Sequence, residues 1–182
     1  MIITDRWLEE HGACHSGRTW FQKNVRDQAE AGDVVMQLIS SGRMNWAAWL
    51  LPRVMTRTQR IRCVLNALEL ALMKFEANNI GLKHGSELAD KLRTVLRDDI
   101  AFNRVIAVAA GAEISDACEY ADLDSIAFYA AATVNLEPTH ELTDAEHVTE
   151  YTFAYLDANT ANATDPVCLN ILTYGVMLLK AS

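Results

Sequence analysis

The stretch WLEEHGACHSGRTWF, residues 7–21, sets His11, Cys14 and His15 within five positions between Trp7 and Trp20. Imidazole and thiolate are zinc ligands, and a thiol beside an imidazole is also the pairing of a cysteine nucleophile with its base. Each reading needs more than these residues supply. A structural zinc site is closed by four ligands, and the other cysteines and histidines would have to arrive singly from distant segments. An activated thiolate needs a placed base and an oxyanion donor. The expectation is a structural corner: Ala13 and Cys14 turn the chain after Gly12, and Trp7, Trp20 and Phe21 anchor it to the core. No metal, cofactor or catalytic residue is assigned, with His11, Cys14, His15 and His147 as the candidates should a metal be bound.

A second cluster lies in THELTDAEHVTE, residues 139–150. On one helix His140, Asp144 and His147 would share a face, with Glu141 placed like the acid of H-E-x-x-H. Asp144 occupies the position that motif reserves for its second histidine. Thr143-Asp144-Ala145-Glu146 also reads as a capping box, which starts the helix after His140. No phosphate-cradling glycine motif and no G-x-S-x-G elbow occurs. Arg53, Arg57, Arg60 and Arg62 form the one basic cluster. They could grip an anion, or pair with the acidic C-terminal half at under about 1 kcal/mol per exposed pair.

The charge is strongly polarised along the chain. Lys plus Arg against Asp plus Glu count 9 and 6 over residues 1–62, 6 and 6 over 63–104, and 1 and 12 over 105–182, which gives +3, 0 and −11 and the net −8. That polarity argues against nucleic-acid binding, which needs several cations on one face. It suits a partner with a basic surface, for which Glu113, Asp116, Glu119, Asp122 and Asp124 are the expected contacts. The 182 residues, 51% hydrophobic, suffice for one globular domain over 1–182 that buries about 70% of its unfolded surface. The start MIITDRW lacks a basic leader and an apolar signal core, and no apolar run reaches the roughly 18 residues of a membrane helix. The expected location is therefore the cytosol, and no membrane association is expected. Cys14, Cys63, Cys118 and Cys168 form no C-x-x-C pair and read as separate thiols of a reducing compartment.

The elements that would carry these residues are nearly all helical. Thr4 can cap a short helix carrying Trp7 and Leu8, with Gly12 as its stop. Asp33 and Ser41-Gly42 could cap and end an element over VVMQLI, although Val34, Val35 and Ile39 leave helix and strand both open for residues 34–39. Asn45 opens WAAWLLPRVM, which Pro52 should kink or end. Thr56-Arg57-Thr58-Gln59 is a capping box for the clearest helix, whose apolar positions Ile61, Val64, Leu65, Leu68, Leu72 and Phe75 recur every three or four residues. Ser86 can cap ELADKLRTVLRDD, and IAFNRVIAVAAG, ISDACEYA and DSIAFYAAATV continue the helical pattern. Asp165-Pro166 starts a last helix, VCLNILTYGVMLLK. The sum is an all-α, single-domain bundle of about nine helices joined by short loops.

The pattern W-L-x-x-x-G-A-C-x-x-G-x-x-W-F over Trp7–Phe21, followed by NWAAWLLPRVMTRTQRIRCVLNALELALMKFE at 45–76, resembles a loosely defined group of helical proteins from bacteria and their phages, some described as immunity proteins. The likeness covers about the first 76 residues; after it, NNIGLKHGSE replaces the group's Pro-Arg-rich turn. It implies a helical fold and stoichiometric binding to another protein, such as a toxin or host defence factor, and brings no catalytic residue. Two other readings stand beside it. One is a self-assembling phage structural or scaffold component, hence a homo-oligomer, and the other is a metal-dependent enzyme with a His/Cys/Asp site built across helices.

Overall fold

The computed structural model describes residues 1–76, 83–98 and 166–181. Over these the protein is mostly helical, with seven helices and one short ribbon among the described residues. In chain order the elements are β1 (Ile2–Thr4), α1 (Asp5–Glu10), α2 (His15–Asn24), β2 (Gln28–Glu30), α3 (Ala31–Ser40), α4 (Met44–Val54), α5 (Arg57–Glu76), α6 (Lys83–Arg97) and α7 (Pro166–Lys180). The helices expected over residues 100–134, the capping box at 143–146 and the site residues Glu113, Asp116, Glu119, Asp122, Asp124, His140, Asp144 and His147 lie outside the described residues.

The ribbon departs from the all-α expectation. β1 and β2 pair antiparallel, with Ile2 opposite Glu30, Ile3 opposite Ala29 and Thr4 opposite Gln28. Three residues per strand are too few for an alternation to stand out in the sequence. Ile3 is nevertheless fully buried beside exposed Ile2, the two-residue period of a strand with one covered face.

Local chemistry sets the helix ends. Thr4 Oγ1 accepts the Trp7 amide at 3.1 Å and starts α1. Gly12, with φ +76°, ends it in the left-handed region. There the amides of Gly12 and Ala13 donate back to the carbonyls of Glu9 and Leu8 at 3.1 and 2.9 Å. The same stop recurs after α3, where Gly42 has φ +70° and Arg43 N–H reaches Leu38 O at 2.9 Å. Residues 34–39 are thus helical.

The start of α3 needs a correction, because it begins at Ala31 after Glu30 rather than behind an Asp33 cap. Asp33 sits in the first turn and pairs with Lys180 at 2.8 Å. Similarly α4 begins at Met44 rather than at Asn45, and Pro52 is accommodated inside its last turn, the helix running on to Val54. The α6 helix starts at Lys83, before the expected Ser86 cap. The box at Thr56 forms as read: Thr56 N–H donates to Gln59 Oε1 at 2.8 Å and Gln59 N–H to Thr56 Oγ1 at 3.3 Å.

The core runs from Ile3, Leu8 and Phe21 through Val35, Leu50 and Leu51 to Leu88, Leu92 and Ile171. Helix α7 packs on α3, α4 and α5, and α6 packs on α5, where Arg93 bridges Glu69 and Asp90. No helix among the described residues is long and apolar enough to cross a membrane.

Candidate functional site

The chain's first chemical cluster does form a corner. His11 caps the C-terminus of α1, its ring stacked on Trp7 at 3.9 Å between centroids, and its Nδ1–H donates to the Trp7 carbonyl at 2.8 Å. Cys14 is the N-cap of α2: its Sγ accepts the Gly17 amide at 3.4 Å and lies 3.3 Å from Ser16 Oγ. His15 is the first residue of α2 and is exposed. Among the described residues no group of three or more His, Cys, Asp or Glu side chains is arranged to hold a metal ion.

A charged clamp holds this corner in shape. Arg18 of α2 grips Asp5 of α1 with Nε and Nη2, at 3.0 and 2.9 Å, and donates from Nη1 to Glu9 at 2.6 Å. Two parallel N–H donors on one carboxylate fix orientation as well as distance. Gln22 adds a third donor to Asp5 at 3.0 Å. The Arg18 hydrogen bond, reinforced by Gln22 and the guanidinium charge, holds the Asp5 carboxyl below the usual carboxylate range. Asp5 and Glu9 in turn raise the Arg18 guanidinium.

Behind the corner is a half-open cavity of about 270 Å³. Its near wall is Leu8, Gly12, Ala13, Cys14 and Gly17; α2 adds Trp20 and Phe21, α3 adds Val34 and Leu38, and α4 adds Asn45, Trp46, Trp49 and Leu50. Trp20 meets Trp46 edge-on at 6.4 Å. Two wall rings carry cations, with Arg43 lying 4.6 Å from the Trp46 centroid and Arg53 lying 4.2 Å from that of Trp49. Cys14 is the exposed thiol at the rim. The Ser16 hydroxyl, then the Gly17 amide, lowers its pKa against the opposing effect of partial burial. Cys63, by contrast, is buried on α5, and loss of solvent pushes its thiol up to about 12.

The cavity is legible only in part from the sequence. Trp20 and Phe21 read as core anchors, whereas Asn45, Trp46 and Trp49 join the cavity only through the meeting of Trp46 on α4 with Trp20 on α2. An available signal was the spacing of Trp46 and Trp49 by three, which places both on one helix face.

The arginine cluster divides at the α4–α5 junction. Arg60 Nη1 donates to the carbonyls of Met55 at 2.7 Å and Pro52 at 3.4 Å, and Arg53 Nη1 donates to Trp49 O at 2.7 Å. These cations therefore serve the negative end of α4, which explains why they gather so close to the start of α5. Arg57 is half-buried and Arg62 exposed.

Residues 1–58 match the family model of the YdhT N-terminal domain. Every residue lining the cavity falls inside that match, as do all elements from β1 to α4. The YdhT N-terminal domain likeness thus coincides with the part of the fold that builds the corner, the clamp and the cavity. No curated protein and no solved structure matches the chain.

Proposed function

We propose that this protein acts by stoichiometric binding to another protein rather than by making or breaking bonds. The observation that carries the reading is the pair of Trp–Arg stacks, Trp46 with Arg43 and Trp49 with Arg53, at one aromatic cavity. Tryptophan and arginine are the residues that most often dominate binding energy at protein interfaces, around a pocket that one partner side chain can fill. The thiol at the rim fits the same reading, because its hydrogen bonds go to the Ser16 hydroxyl and the Gly17 amide, neither of which is a general base. The resemblance of about the first 76 residues to a group of helical bacterial and phage proteins, some described as immunity proteins, suggests the class of partner: a toxin or host defence factor met in the cytosol. A basic surface on that partner would be met by Glu113, Asp116, Glu119, Asp122 and Asp124.

The test is affinity capture from host lysate followed by measurement of stoichiometry. Wild type should retain one partner at one-to-one ratio. The Trp46→Ala/Trp49→Ala protein, shown by circular dichroism to be folded, should lose it. Retention by that variant would overturn the role of the stacks, and retention after charge reversal of all five acidic residues would overturn theirs.

A further inference from the structure

We infer that the cavity behind the α1–α2 corner binds a small apolar molecule of about naphthalene size that carries a neutral or anionic end. An apolar engineered cavity of about 150 Å³ takes benzene. The roughly 270 Å³ here has room for a fused bicyclic body with a short substituent. The walls are aromatic and aliphatic, and the polar groups at the edge are few: the Asn45 amide and the Cys14 thiol. Such a site holds its ligand by excluding water and orients it through one or two contacts.

Charge decides the class of ligand. Three tryptophans around one space could by themselves form a box for a quaternary ammonium group. Here Arg43 and Arg53 already lie over Trp46 and Trp49, and a second cation beside those rings would be repelled. A neutral or anionic head escapes that cost. The site is also pre-formed, because the Arg18–Asp5 clamp fixes the two helices whose corner makes the near wall, so little ordering cost accompanies binding.

The inference concerns the same cavity as the protein-binding reading but does not rest on it: its test needs no partner, so either can fail alone. Three probes, 2-naphthol, 2-naphthoate and (2-naphthylmethyl)trimethylammonium, are titrated into the full chain by calorimetry while Cys14 alkylation by iodoacetamide is followed by peptide mass spectrometry. The first two should bind one-to-one and slow Cys14 alkylation by about tenfold or more at saturation, and the cation should bind at least about tenfold more weakly than naphthoate. Ala13→Phe, which places a ring in the cavity from its near wall, should abolish both heat and protection. Absence of binding by naphthol and naphthoate, equal or tighter binding of the cation, or undiminished binding by folded Ala13→Phe would each overturn the inference. Should Ala13→Phe fail to fold, the wild-type titrations decide alone.

Discussion

Gln59 ties the start of α5 to the end of α7: its side-chain amide donates to the Leu178 carbonyl at 2.7 Å across 119 residues of sequence. The same side chain accepts the Thr56 amide through Oε1. One buried amide thus completes a capping box and satisfies a carbonyl in the last turn of another helix, at 7% exposure.

Replacing Gln59 should therefore cost more than an ordinary cap. Thr56→Ala removes the cap acceptor alone and is expected to lower stability by about 1 kcal/mol. Gln59→Ala removes the acceptor of the Thr56 amide and leaves the Leu178 carbonyl without this donor, for a total of about 2–4 kcal/mol. Gln59→Glu keeps a capping acceptor but turns a carboxylate toward that carbonyl, and should also exceed Thr56→Ala. Urea unfolding of the three variants orders them.

Gly175 should tolerate no side chain. A Cβ there would overlap the Leu51 side chain and lie 3.0 Å from Met55 Cε, at the contact of α7 with α4. Gly175→Ala is expected to destabilise by about 1–3 kcal/mol through overpacking, despite the higher helix propensity of alanine. Combining it with Leu51→Ala should give less than the sum of the two single losses, because the second change removes the atoms the first collides with. A thermal double-mutant cycle measures the difference.

The two cysteines described should differ sharply in reactivity. Cys14 is exposed and its pKa is lowered by Ser16 and Gly17, so its alkylation rate should reach half-maximum below the ordinary thiol value of about 8.5. Ser16→Ala should move that midpoint upward. Cys63 should stay unmodified until the protein is denatured. Its folded pKa, about 12, lies above the unfolded one, so its contribution to stability is complete below the unfolded value and declines as pH rises toward 12. Cys63→Ala should flatten that alkaline loss, read from denaturation midpoints across the range.

The Asp5–Arg18 clamp should weaken in acid. The folded pKa of Asp5 is below its unfolded value, so its contribution is present above the unfolded value and is lost as pH falls through the folded one. The gap in denaturation midpoint between wild type and Arg18→Ala should be open at about pH 6 and narrow toward about pH 2. A gap independent of pH would show that Arg18 acts through packing of its stem alone.

Sequence reading did best where a residue's effect is local. Thr4, Gly12, Gly42 and the Thr56–Gln59 box each act within one helical turn, and each ends or starts a helix as its type predicts. Asp33 and Ser86 misled because residues that suit a cap also occur inside a first turn, where tertiary contacts can extend the helix past them; Asp33 faces Lys180 instead. The β1–β2 ribbon is not legible in the sequence because its pairing joins residues 24 to 28 positions apart. The cavity was hidden for the same reason. Its walls come from four helices, and only the edge-on meeting of Trp20 with Trp46 tells a cavity tryptophan from a core one.

Helix α7 is made last among the described elements, yet it covers α3, α4 and α5 and supplies Ile171, Leu172 and Val176 to the shared core. During synthesis the earlier helices must wait until residue 180 has emerged for the α7 face against which Leu51 and Met55 pack. A transcript cut short before α7 would therefore yield a chain with an oily scar across three helices, the kind of surface that chaperones hold and proteases clear, so the cell is spared a partly working copy.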